Sequence, residues 1–214
     1  VPGDNRSFYL EHALSAHRQR ELRRNARRLA GLGAVVFTTV SEPASIAEAI
    51  DDFFALEASG WKGKAGSAAV YDDGIEGFVR TALLALARDG NAAINRILLD
   101  GRAVAAAITL YSGDTAWYWK TAYDEGLARH APGMLLTAAL TEELADNVAI
   151  ARTDSCATPG NAMEIVWSER LALCDRLIAV RPEAPFAYAC ALEKLRGAAI
   201  AAAKTVRDGF LGHR

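Results

Sequence analysis

Apolar and polar positions repeat with two different periods along this chain, and the places where the period changes outline its elements. Between residues 15 and 32, Leu22, Ala26 and Leu29 recur at i, i+4 and i+7, which predicts a helix capped by Ser15 and stopped by Gly31 and Gly33. Residues 34–40 form a short β-branched run and read as a strand. Ser45 opens a second helix whose buried face takes in Ile46, Ile50, Phe53, Phe54 and Leu56; it ends at Gly60, and residues 61–66 follow as a loop. A third helix over residues 75–88 turns Phe78, Leu83, Leu84 and Leu86 inward and stops at Asp89-Gly90.

The period then changes from helical to alternating. Residues 92–99, 103–111 and 115–122 read as three strands joined by Asp100-Gly101 and Ser112-Gly113-Asp114, both hairpin signals. A helix over residues 134–146, a strand over 148–153 ending at Asp154, a short helix over 162–171 and a strand over 174–180 follow, and a helix over 188–206 closes the chain. This order predicts an α/β (α+β) fold: a mixed, mostly antiparallel sheet with helices on both faces. The helix over 134–146 serves as a right-handed crossover that lays the next strand parallel to the third meander strand. Strict alternation along that strand puts Tyr118 and Lys120 on one face, with Trp119, Thr121 and Tyr123 on the other.

Composition narrows the function. The 214 residues (22.9 kDa) are 51% hydrophobic and 23% charged, which excludes a disordered chain. Forty-four alanines make much of the apolar fraction helix-forming filler. A net charge of −2 gives no positive field for nucleic acid, so none is expected as a partner. The longest uncharged apolar stretch, residues 103–112, is about half of a membrane span, so no membrane is expected either. Six arginines between Arg18 and Arg28 either grip phosphates or coat a solvated helix face, and no aromatic is interleaved among them. His12, His17, His130 and His213 show no metal-ligand spacing, and no metal is expected. Cys156, Cys174 and Cys190, an odd number at wide spacing, suit a reducing cytoplasm. The opening Val-Pro-Gly-Asp reads as a linker, so residues 1–14 are expected to be a linker or the remnant of a preceding domain.

Specific chemistry enters at Trp119-Lys120-Thr121-Ala122-Tyr123-Asp124-Glu125 and Pro132-Gly133-Met134-Leu135-Leu136. Together with Leu56-Glu57-Ala58-Ser59-Gly60-Trp61-Lys62-Gly63, the arginine helix and Asp154-Ser155, they make the chain resemble the GNAT acyltransferase superfamily. The branch resembled is that of the cellulose-biosynthesis-associated, CelD-like acetyltransferases, related to the Fem-type double-GNAT transferases. The resemblance runs over residues 15–181 and leaves 182–214 as a C-terminal helical extension. It implies a GNAT fold with a parallel, splayed strand pair, and acetyl-CoA as co-substrate. The acyl group would go to an amine or hydroxyl of a small-molecule, peptide or sugar acceptor. It also brings in aminoacyl-tRNA as an alternative donor, a non-catalytic half-domain that only binds, and a homodimer or an N-terminal GNAT-like partner domain.

Candidate residues follow. The resemblance assigns the donor's diphosphate to Arg129, His130, Pro132, Gly133 and Met134 at the start of a helix, where free N–H groups gather. Pro132 and Met134 replace the outer glycines of the family's phosphate loop, and proline offers no N–H. A backbone N–H near Ala122 or Tyr123 would polarise the thioester carbonyl, and Asn161 matches an asparagine that many members carry. The family's usual tyrosine on the helix after the fifth strand is missing, which leaves Tyr123 as a candidate acid for the thiolate. Asp124 and Asp154, at the ends of the two splaying strands, are candidate general bases expected within reach of one acceptor. Trp61, Lys62, Trp119 and Lys120 are candidate substrate contacts.

Overall fold

The structure, a computed structural model, describes residues 9–174, 176–179 and 185–211. The chain divides into two units, Val1–Glu169 and Arg170–Arg214. In the first, β1 (Val35–Val40), β2 (Ala92–Leu99), β3 (Arg102–Ser112), β4 (Thr115–Tyr123) and β5 (Arg152–Asp154) lie side by side in that order. Neighbours from β1 to β4 are antiparallel, and β5 is parallel to β4. The helices of this unit are α1 (Tyr9–Ala13), α2 (Ala16–Ala30), α3 (Ile46–Ser59), α4 (Trp61–Lys64), α5 (Asp73–Arg88) and α6 (Pro132–Asp146); α7 (Phe186–Leu211) belongs to the second. The expected mixed sheet with helices on both faces is what forms.

Local chemistry accounts for the joints. Ser15 accepts a hydrogen bond from the Arg18 N–H, and Asp72 accepts from Gly74 and Ile75, so α2 and α5 each start on a side-chain cap. Asp100 and Gly101 both have positive φ (50° and 82°), the two-residue turn whose twist matches the flanking strands. One sheet face packs Ala92 and Ile94 under Ile46, Ile50 and Phe53 of α3 and Leu83 of α5. The other packs Ile97, Val104 and Tyr118 under Leu29 of α2 and Leu136 and Leu140 of α6. Ala105, Ala106 and Ala107 of β3 are fully buried and small, so both helix layers come close to the central strand. A polar chain ties α6 down: Thr109 donates to Asn95, Asn95 donates to Thr39, and Thr39 donates to Glu143 of α6 at 2.6 Å.

Several expectations are corrected. Ala26 is exposed and Asn25 is buried instead, so the inner stripe of α2 runs Leu22, Asn25, Leu29. Phe78 is 70% exposed; α5 rests on Val79, Leu83 and Ala87, with Leu84 and Leu86 half-buried. Residues 61–64 wind a helical turn rather than a loop. The strand expected over 148–153 is confined to Arg152–Asp154, because only Thr115–Trp117 of β4 offers it a ladder; Val148 is exposed. The helix expected over 162–171 is a single 3-10 turn, Ala162–Ile165, capped by Asn161. The described residues among 174–180 form no strand, since an apolar run needs a sheet edge to pair with. Residues 1–8 of the expected linker, and residues 182–184 and 212–214 of the expected extension, lie outside the described residues.

These exposures separate two phenylalanines that the pattern treats alike. Phe53→Ala is expected to cost about 3–5 kcal/mol, whereas Phe78→Ala stays within about 0.5 kcal/mol. Urea unfolding of the two variants measures the difference, and equal losses would contradict this packing.

Candidate active site

The site originates in β4. Ile108 of β3 pairs with Lys120, yet Thr109 pairs with Tyr118, so Trp119 is an extra, unpaired residue: a β-bulge. The bulge interrupts alternation. Tyr118 packs on the α6 face, while Lys120 reaches Glu57 of α3 on the opposite face. This overturns the expectation that Tyr118 and Lys120 share a face, and Tyr118 instead shares its face with Tyr123, whose ring lies beside Gly133 of α6. On β4's other edge, pairing with β5 ends at Trp117–Asp154, which leaves Tyr118–Tyr123 without a β5 partner. A cavity of about 410 Å³ fills this gap. Its wall includes Tyr118, Tyr123, Gly133, Met134 and Thr137 from the α6 side, and Lys62 and Lys120 from the α3 side. The gap is therefore a slot through the sheet with a mouth on each face.

At the α6 mouth, the chain winds a 3-10 turn over Glu125–His130, bends through Ala131 in the left-handed region (φ 51°), and enters α6 at Pro132. Leu135 is bonded back to Ala131, so the N–H groups of Gly133 and Met134 precede the first intrahelical bond of this helix. A Cβ on Gly133 would lie 3.1 Å from the Tyr123 ring, so glycine lets that ring lie against the start of the helix. Arg129 and His130 are turned on each other: Arg129 Nε donates to His130 Nε2 at 2.9 Å, and neither lines the cavity. His130 is buried, and its Nδ1 has no hydrogen-bond partner among the described residues. Asn161 lines the cavity from beyond β5, its side chain accepting the Met163 N–H.

The candidate bases are not brought together. Asp154 sits opposite Trp117 and Asp124 follows Tyr123, so the two lie about 20 Å apart along the strand direction. Asp124 accepts two bonds of 3.0 Å from the Arg102 guanidinium and caps the turn at Gly126. Asp154 accepts the Cys156 N–H at 2.7 Å. Neither lines the cavity. Cys156 does, at φ 51°; burial and the Asp154 charge push its thiol pKa up, which disfavours the thiolate. Burial raises Tyr118 as well, its hydroxyl meeting Thr137 at 3.2 Å.

The α3 mouth is organised by a residue that no candidate set contained. Glu57 is 3% exposed. Its Oε1 receives Lys62 at 2.9 Å and Lys120 at 3.1 Å, and its Oε2 receives the Ala69 N–H at 3.0 Å. Burial works to raise its pKa, but the two ammoniums and the backbone N–H outweigh it and hold the carboxyl below its ordinary 4.5. Ile46, Ile50, Phe53 and Glu57 repeat at i, i+4, i+7 and i+11, so a charge placed on a buried stripe was the available signal. Lys62 arrives on α4, which Glu125 staples by accepting from the Trp61 N–H and from Lys64. A Cβ on Gly63 would fall 1.6 Å from the Ala58 carbonyl oxygen, so only glycine lets this turn close onto α3. Trp61 and Ala122 line a smaller adjoining cavity with Glu57. Among the described residues no group of three His, Cys, Asp or Glu is gathered as a metal site. No helix among them is long and apolar enough to cross a membrane.

A carboxyl held below its unfolded pKa stabilises the fold above that value and loses its contribution as pH falls through the folded one. Glu57→Gln is therefore expected to cost about 3 kcal/mol near neutrality, with the gap to the parent protein closing as pH falls below 4.5. Urea unfolding across that range measures it; a gap independent of pH would show that the Glu57 charge contributes nothing.

The solved structures that resemble the chain include a possible acetyltransferase from Clostridium difficile 630, at 12% identity over 70% of this chain and 98% of that one, TM-score 0.47. Another is an aminoglycoside acetyltransferase, meta-AAC0020, from an uncultured soil metagenomic sample, at 10% identity over 69% and 97%, TM-score 0.48. A third is AAC(6')-Iy in complex with a CoA bisubstrate analogue, at 13% identity over 71% and 100%, TM-score 0.44. No curated protein sequence matches the chain. The family described as acetyltransferase (GNAT) domain matches residues 16–159, well over half of the sequence and every strand of the sheet. On that match, the chain belongs to the GNAT acetyltransferase family.

Proposed function

We propose that this chain transfers an acetyl group from acetyl-CoA to an amine or hydroxyl of a small-molecule, peptide or sugar acceptor. The observation that carries the reading is the slot between β4 and β5, with a helix start at one mouth and lysines at the other. Residues 119–125 and 132–136 support the CelD-like branch as its closer kin. The three free cysteines suit a cytoplasmic setting.

The residues present fit the donor. Acetyl-CoA supplies an activated acyl thioester. The Gly133 and Met134 N–H groups, at the positive end of α6, suit its diphosphate. The backbone of Tyr118–Tyr123, left unpaired where β5 departs, can hold an extended arm as an added strand would be held. The Asp124 N–H is bonded to Val104 of β3. By alternation the Tyr123 N–H faces the open edge and is the one available to polarise the acyl carbonyl, while that of Ala122 is turned to β3. The acceptor's nitrogen or oxygen bonds to the carbonyl carbon as the carbon–sulfur bond breaks, and its proton leaves to water. Tyr123, on the cavity wall, donates a proton to the departing sulfur. Asp124 acts as a positioning residue, holding Arg102 and the turn that leads into α6, and Asp154 positions the bend at Cys156.

Acetyl-CoA is expected to raise the melting temperature, less so at high salt. Tyr123→Phe should lower kcat by about a hundredfold and keep that shift. Thiol release and differential scanning fluorimetry check both. A shift with aminoacyl-tRNA but none with millimolar acetyl-CoA would replace the donor, and binding without thiol release to any acceptor would make the chain a binding domain.

A further inference from the structure

The α3 mouth of the slot carries more positive charge than its buried carboxylate requires. One lysine would neutralise Glu57, yet both Lys62 and Lys120 place their ammoniums on the same oxygen, Oε1. The trio has a formal charge of +1. The carboxylate is sealed, with 1% of its side chain accessible, whereas the lysine side chains keep 26% and 28%. The unspent donors of the two ammoniums are therefore what the cavity meets, because each carries three N–H groups. Among the described residues no carboxylate lines the larger cavity; Glu125, beside the smaller one, is occupied by Lys64 and the Trp61 N–H. Each ammonium is also set against an aromatic face, Lys120 over Trp119 at 5.6 Å and Lys62 over Trp61 at 5.9 Å. Two cations fixed by one shared oxygen lie close enough for a single two-oxygen anion to bridge them.

Building on the transferase reading above, we propose that the acceptor carries a carboxylate or phosphate beside its nucleophile, held by Lys62 and Lys120. The bulge at Trp119 puts this hook on the face opposite the start of α6, at the far end of the slot from the donor's diphosphate. Anionic acceptors are drawn in, and polycationic ones are repelled by uncompensated like charge.

Inorganic phosphate, titrated against the tryptophan fluorescence of the full chain, tests the hook without requiring turnover. Millimolar phosphate is expected to change the emission, and Lys62→Met and Lys120→Met should each weaken this about tenfold. Either single variant leaves Glu57 one ammonium, which protects the fold. Repeating the titration with CoA or 3′-dephospho-CoA bound identifies the source of the anion. Phosphate binding that persists with both assigns the hook to the acceptor; competition by CoA but not by 3′-dephospho-CoA assigns it to the donor's phosphate and overturns the proposal. In thiol-release assays, glucosamine 6-phosphate should exceed glucosamine, and glycylglycine should exceed its amide, through a lower KM. Absence of phosphate binding, or phosphate binding unchanged in both lysine variants, also overturns it. The transferase reading fails separately, on absence of any acetyl-CoA shift.

Discussion

Parallel pairing between β4 and β5 lasts for only three residues, Thr115–Trp117 against Arg152–Asp154, and everything at the site depends on its stopping there. A longer ladder would seal the sheet; a shorter one would leave β5 unattached. Past that point the backbone of β4 must find other partners or remain open to a ligand. The bulge at Trp119 falls within the same stretch and swaps the faces of the residues beyond it. Parting strands and a shifted register together turn an ordinary sheet edge into a passage joining the two faces of the sheet.

Glu57 is the second constraint. A carboxylate with so little exposure is tolerable only when its charge and both oxygens are matched, and here two lysines and a backbone N–H do so. That requirement joins the end of α3 and the α4 turn that follows it to the bulged strand, 63 positions further along the chain. The stapling of α4 through Glu125, and the absence of a side chain at Gly63, follow from the need to bring Lys62 to that carboxylate.

The parts of this architecture that were legible in the sequence are those encoded locally. The three strand runs between Ala92 and Tyr123, the Asp100-Gly101 turn and the Ser15 cap each depend on a few adjacent residues, and these strands and joints formed as read, while the order of faces beyond Tyr118 did not. Motif residues 119–125 and 132–136 led to the right superfamily. What was not legible is set by pairing partners. No glycine marks the bulge at Trp119; it exists because of how β3 meets β4. Phe78 and Phe53 look equivalent until the sheet selects a face of each helix. Arg129 suits a phosphate contact by type, and the hold that the buried imidazole of His130 has on its Nε could not be read from type alone. Glu57 stood within a quoted motif, and only its place on an apolar stripe distinguished it from a surface charge.

The two mouths of the slot are built by different helix layers, α3 to α5 on one side and α6 on the other, with β4 as the wall they share. Substitutions in one layer need not disturb the packing of the other. One mouth can therefore diversify, through the side chains at 61, 62 and 120, while the helix start at the other is inherited intact.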